Sequence, residues 1–308
     1  MATDNPLDNP IFFDVLWRLS ALFAILYVGV AVREWRRRAD RRKESLVPGA
    51  VSATLLTCVV VAAAFAGGVA WWIVVTLLGV QLTVEYASLT SLDAGYKWLV
   101  VIWSIVGPSV SAIAFPDSMW TPAIQLVVVY LIATALPIVT GRNNDATAAL
   151  GRVTLCGLYI ILPLEYLLLV RSQGDHGLRI LFLVLISVGL SDAFGYIAGT
   201  KAGGPKLAVN TSPEKTWSGV IGSVAGAAIG GVLFHSPLSI SAMVSATVAY
   251  AILIAVLAVW GDLVESVLKR SAGVKNVGNT LPGFGGFLDR FDSLLIPAWF
   301  AVLLVEVG

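Results

Sequence analysis

Long apolar runs separated by short polar loops occupy almost the whole chain. About twenty consecutive apolar residues, wound as a helix, cross the hydrocarbon core of a bilayer. Ten such runs follow one another, at approximately 11–32, 51–67, 69–86, 97–114, 119–139, 152–170, 178–199, 217–234, 240–262 and 293–307. The pattern predicts an all-α, polytopic integral membrane protein with about ten transmembrane helices, or nine if the second and third are one. Only Gly67-Gly68 separates those two. Polar residues are unevenly shared: 1–175 reads as N-terminal transmembrane helices, while 176–308 carries the polar motifs, the two forming one integrated membrane domain.

Composition agrees with this pattern. Of the 308 residues 57% are hydrophobic and 13% are charged, against roughly 25% charged in soluble domains. The net charge of +1 gives no reason to expect a nucleic-acid partner. Placement says more than the total. The run REWRRRADRRKE (33–44) follows the first span, and the positive-inside rule makes that end cytoplasmic. Alternating the ten spans then puts 17 of the 20 Lys and Arg on the cytoplasmic side, leaving Arg18, Arg171 and Arg179 opposite. The basic run is read as a topology determinant rather than a lipid anchor. An acidic flank (Asp4, Asp8) and the lack of a cationic leader argue that the first span is not a cleaved signal peptide. Cys58 and Cys156 fall inside spans without metal-type spacing and are expected to be buried packing residues. His176 and His235 fall in loops opposite the basic side, which leaves the polar motifs without a histidine.

One segment breaks the apolar pattern most strongly. From Gly261 to Ser293 it gathers Asp262, Glu265, Asp289 and Asp292 with Lys269, Arg270, Lys275 and Arg290, around the loop LPGFGG. At helical spacing Asp262, Ser266 and Lys269 (i, i+4, i+7) share a face, and Asp289 and Asp292 (i, i+3) share a face of the next helix. Carboxylates bind hard divalent cations, whereas Lys and Arg neutralise phosphate. Two helix ends meeting across a glycine-rich turn therefore suit a site for a metal ion and phosphates.

A second polar region, SDAFGYIAGTKAGGPKLAVNTSPEKTWSG, runs from 191 to 219. Asp192 lies inside a span, where charge is costly and faces a polar cavity or a partner. Asp192, Gly195, Tyr196 and Gly199 share one face. Ser212-Pro213-Glu214 has the form of a helix N-cap with Pro in the first turn, an end that holds phosphate, with Lys215 one turn inside. An ordinary cap plus a topology lysine is the alternative. Gly222, Gly226 and Gly230 repeat the small-residue spacing of a helix-packing face. Pro108, Pro137 and Pro163 are read as kinks, Glu85 as interfacial, and Glu165 as an intramembrane acid lining a lipid cavity. Trp17, Trp98, Trp120 and Trp217, near span ends, are read as interfacial anchors.

Both polar regions resemble the motifs of the phosphatidate cytidylyltransferase (CDP-diacylglycerol synthase) family. The C-terminal run reads SxxKRxxxxKNxGxxLPGFGGxxDRxD, preceded by GDLVES; the middle one reads DxxxYxxG…K…SPxKTWxG. The likeness covers roughly residues 190–295, and further upstream only a Glu85-Tyr86 pair is shared. Two positions depart from the family pattern: Asn276 stands for its Asp, and Phe284 for the His of its PGHGG. The resemblance implies cytidylyl transfer from CTP to phosphatidic acid, giving CDP-diacylglycerol and pyrophosphate. It implies Lys215, Lys269, Arg290 and Asp289 as catalytic residues. Asp192, Tyr196, Lys206, Ser212, Ser266, Arg270, Gly283, Gly285 and Gly286 would bind substrate. Asp262, Asp289 and Asp292 would hold Mg2+, with a second cation allowed. CTP and bilayer phosphatidic acid are the implied partners, a homodimer is allowed, and the site would face the cytoplasm from a bacterial inner membrane. Alternatives are a CTP-dependent polyprenol or lipid kinase, a cytidylyltransferase for another lipid phosphate, a member that has lost activity, and, from another class, a transporter with Asp192 and Glu165 on its ion path.

Overall fold

The computed structural model describes residues 11–37, 47–141, 145–238, 243–275, 277–278 and 285–307. Within them the apolar runs wind into helices: α1 (Phe12–Arg37), α2 (Val47–Ala66), α3 (Gly68–Leu89), α4 (Ala94–Ser109), α5 (Thr121–Thr140), α6 (Ala146–Cys156), α7 (Leu162–Ser172), α8 (Gly174–Ala202), α9 (Trp217–Leu238), α10 (Val244–Ser271) and α11 (Leu288–Val307). α6 and α7 are one rod joined by the π turn Gly157–Ile161, and α4 runs on into the π turn Val110–Ala114. Ten rods thus match the ten predicted spans. Among the described residues, eight are long and apolar enough to cross a membrane. The chain is an integral membrane protein.

α2 and α3 are separate helices, broken at Gly67, whose φ of 62° only glycine adopts freely. Arg171 takes up two of the carbonyls left open at the end of α2, those of Ala64 and Phe65. The α6–α7 rod lies deepest, with Leu162–Val170 buried without a gap. Pro163 lacks an N–H, so the carbonyl four residues back is released from the helical ladder, in the π turn itself. α2 and α5 lie outermost; Ile138 and Val139 of α5, 79% and 83% exposed, present apolar surface that only lipid solvates well. Trp17, Trp98, Trp120 and Trp217 are exposed. So is Cys58, against the expectation of burial, because it stands on the exposed side of outlying α2; Cys156 is buried.

α8, α9, α10 and α11 pack in sequence order and carry the polar motifs. The small-residue face of α9 lets α8 approach backbone to backbone: a Cβ on Gly226 would lie 2.5 Å from the Leu190 carbonyl oxygen. Gly226→Val is expected to cost about 1–3 kcal/mol through forced separation of the helices. The check is a lowered thermal midpoint and folded yield in detergent, with an unchanged midpoint counting against tight packing there.

One expectation fails in the connection between α8 and α9. Ser212–Thr216 is not the start of a helix but strand β2, paired antiparallel with β1 (Lys206–Ala208) in a small hairpin. Its backbone groups are spent on that pairing, so no phosphate-binding helix end opens at Ser212. The cap falls four residues later, where Thr216 Oγ1 accepts the Gly219 N–H at 3.2 Å.

Candidate active site and metal centre

α10 continues to Ser271, well past the predicted end of its span at 262, and so carries Asp262, Glu265, Ser266 and Lys269 on one helix. Gly261 lets α11 cross here, since any Cβ would run into the Asp292 carbonyl oxygen. The π turn Gly157–Ile161 of the N-terminal half braces this crossing with two hydrogen bonds. The Tyr159 hydroxyl donates to the Gly261 carbonyl at 3.0 Å, and Trp299 Nε1 of α11 donates to the Leu158 carbonyl at 2.7 Å.

At the crossing Asp262, Glu265 and Asp292 each offer a carboxylate oxygen, all within 4.8 Å of one another. Beside them Lys269 Nζ ion-pairs with Glu265 and, at 3.0 Å, with Asp289. Lys215, brought in by β2, ion-pairs with Asp262. Asp289 is held otherwise: its Oδ2 accepts the N–H groups of Gly286 (3.0 Å) and Val277 (3.3 Å). Gly285, at φ 86°, makes the left-handed turn that brings this backbone round; a Cβ there would sit 2.9 Å from the same oxygen.

Does this donor set fit a metal ion? Glu265 is fully buried, and Glu265 Oε1 meets no hydrogen-bond donor. A buried carboxylate oxygen without a donor is costly. Three converging carboxylates carry more negative charge than Lys215 and Lys269 cancel once Asp289 is counted. All-oxygen ligands of this charge suit a hard divalent cation. The residues fit.

Asp262 and Asp292 of the cluster reach the wall of a cleft of 1190 Å³, with Glu265 buried behind them. Asp192, Tyr196, Ser212, Lys215, Asp262, Ser266, Lys269, Arg270, Gly285, Asp289, Arg290 and Asp292 line it, so most of the residues singled out from sequence converge there. Gly195 and Gly199 join Asp192 and Tyr196 on the same wall. Lys206 does not: it sits exposed in β1 opposite Thr216. Gly286 stands behind the lining and acts through its N–H. Gly283, with Asn276 and Phe284, lies outside the described residues, as does most of the basic run 33–44. Neither His176 nor His235 lines the cleft.

Two further acids are held by partners outside the cleft lining. Glu165 does not line the cleft; it is fully buried, and its Oε2 accepts from Ser111 at 2.9 Å. Glu85, one turn before the end of α3, is buried and binds the start of α11. Among residues not assigned a role from sequence, Glu265 had a signal, standing three residues after Asp262 and four before Lys269. Tyr159 had none, because its partner is 102 residues away, and for Glu85 the shared Glu85-Tyr86 pair did not point to its partner, 202 residues away.

Fold and site together define a class: a polytopic membrane protein with a cleft lined by acids and cations, beside an acidic cluster that could hold a metal ion. Within that class the chain belongs to the cytidylyltransferase family, whose model matches residues 49–307. It is similar to the phosphatidate cytidylyltransferase of Bacillus subtilis (strain 168), 30% identical over 213 residues, 69% of this chain and 78% of that protein. The protein of the same name from Thermotoga maritima is 28% identical over 229 residues, 72% of this chain and 83% of the relative. That of Brucella abortus biovar 1 (strain 9-941) is 40% identical over 130 residues, 42% of this chain and 48% of the relative.

Proposed function

We infer that this chain transfers a cytidylyl group from CTP to phosphatidic acid, giving CDP-diacylglycerol and pyrophosphate for phospholipid synthesis. The observation that carries the reading is the convergence, at one cleft of a family member, of Asp262 and Asp292, with Glu265 buried behind them, and of Lys215, Lys269, Arg270 and Arg290.

The reaction joins two polyanions. An oxygen of the lipid phosphate attacks the α-phosphorus of CTP, a new P–O bond forms, and the bond to the β-phosphate oxygen breaks as pyrophosphate leaves. A phosphate monoester, with its second pKa of about 6, is already largely dianionic near neutral pH, so no general base is needed. Catalysis is then alignment and charge neutralisation. Lys215 and Lys269 hold the triphosphate, and Arg290 and Arg270 receive the lipid phosphate and the departing pyrophosphate. Ser212 and Ser266 donate hydrogen bonds from the cleft wall, and Asp192 and Tyr196 line the approach of the lipid headgroup. Asp262, Glu265 and Asp292 would hold a divalent ion, Mg2+ in this reading, which supplies Lewis-acid polarisation of the phosphates. Asp289 keeps Lys269 and the loop before α11 in place. Because CTP is a cytoplasmic nucleotide and most cations lie on the loops read as cytoplasmic, the cleft opens to the cytoplasm, from the inner membrane in a bacterium.

The test is purified protein with labelled CTP and phosphatidic acid, with and without Mg2+. Labelled CDP-diacylglycerol and an equal amount of pyrophosphate are expected, and chelation by EDTA should remove both until Mg2+ is restored. Release of CDP with a phosphorylated lipid would identify a kinase instead, and turnover unaffected by chelation would overturn the metal assignment.

A further inference from the structure

We propose that Glu85, on α3 in the N-terminal half, is a positioning residue that holds the first turn of α11 against α10 and so sets where Asp289 and Asp292 stand. The inference rests on the roles given above to the carboxylates of α11.

A helix begins with backbone N–H groups that no intrahelical carbonyl can reach. At the start of α11 two N–H groups are met by a side chain from a distant part of the chain. Glu85 Oε1 accepts the Phe287 N–H at 3.1 Å, and Oε2 accepts the Leu288 N–H at 2.8 Å. A carboxylate at this end also meets the positive end of the helix dipole, and hydrogen bonds to an ionised acceptor are the strong kind. Glu85 is 7% exposed, so water competes little for these bonds.

Its own orientation is fixed. Gln81 Nε2, one turn earlier on α3, donates to Oε1 at 2.9 Å. The adjoining Tyr86 hydroxyl donates to the Arg152 carbonyl at 3.0 Å, tying the end of α3 to α6. Gly286 lies against the carboxylate so closely that a Cβ would be 2.8 Å from Oε2, while its N–H goes to Asp289. A continuous path therefore runs from Gln81 through Glu85 and the 286–288 backbone to Asp289, then to Lys269 and Glu265. Every joint in it is a hydrogen bond, an ion pair or a covalent link, and the ladder ends at the acidic cluster.

Gln at position 85 keeps the shape but offers one acceptor oxygen to two N–H groups. In full-length protein reconstituted in nanodiscs, Glu85→Gln is expected to speed amide exchange in residues 285–289. It is also expected to weaken Mn2+ binding and lower kcat by roughly ten- to a hundredfold, the scale on which supporting residues act on metal sites. KM for phosphatidic acid should hold, and Glu85→Asp should restore part of the loss. Unchanged exchange would overturn the cap. Faster exchange with normal kcat and normal Mn2+ binding would overturn the positioning role. Should Glu85→Gln not fold, Gln81→Leu removes only the brace on Oε1, and it should raise exchange in the same segment to a smaller degree; normal exchange there would overturn the proposal. Full activity in Asp292→Asn would instead sink the site reading, and leave the exchange result standing on its own.

Discussion

Asp262→Asn is expected to lower pyrophosphate release about a thousandfold, equivalent to roughly 4 kcal/mol of transition-state stabilisation. Asp262 is the most exposed member of the carboxylate cluster, its side chain 34% exposed, whereas Asp292 is 6% exposed and Glu265 is fully buried. Replacing it with an isosteric amide removes a negative charge and a metal-ligand oxygen without leaving a void. The fold should therefore survive, with its thermal midpoint near that of the parent. Two measurements check this: steady-state pyrophosphate release, and calorimetric titration with Mg2+ or Mn2+. Near-parental turnover would refute the assignment of Asp262 to the metal.

Lys215→Ala is expected to reduce kcat/KM for CTP roughly a hundredfold, or about 3 kcal/mol, the scale of a charge-assisted hydrogen bond to phosphate. In the structure Lys215 spends its charge on Asp262. Removing the ammonium leaves Asp262 without that counter-charge, so Mn2+ binding should hold or tighten while CTP use fails. That opposition is the diagnostic part. A variant with unaltered CTP dependence would move Lys215 out of the nucleotide site, and one that lost metal binding would make its role structural.

Local patterning carried much of this protein. Apolar runs of membrane-spanning length gave ten segments, and ten rods are present among the described residues. The i, i+4, i+7 spacing of Asp262, Ser266 and Lys269 placed them on one helical face, and all three line the cleft. Span limits drawn from hydropathy were less faithful, since α10 and α11 continue as helices through charged residues. Hydropathy measures transfer into lipid, but a helix that projects its charges into a polar cleft need not end where its apolar stretch does. Ser212-Pro213 misled for another reason. A Pro with fixed φ suits the first turn of a helix and an edge strand alike, and the choice lay with Lys206–Ala208, the partner strand.

Composition, hydrophobic period and motif chemistry were enough to establish a many-helix membrane protein and to single out the polar residues near its C-terminus that meet in one cleft, because each depends on residues close together in the chain. Which carboxylates converge, and what holds them there, was decided only in three dimensions. Glu265 joins Asp262 and Asp292 through the crossing of α10 and α11 at Gly261, while Asp289 is turned toward the Gly286 N–H and Lys269. Glu85 reaches α11 across 202 residues of sequence. Contacts of that range arise from helix packing, in which the spacing of residues along the chain leaves no trace.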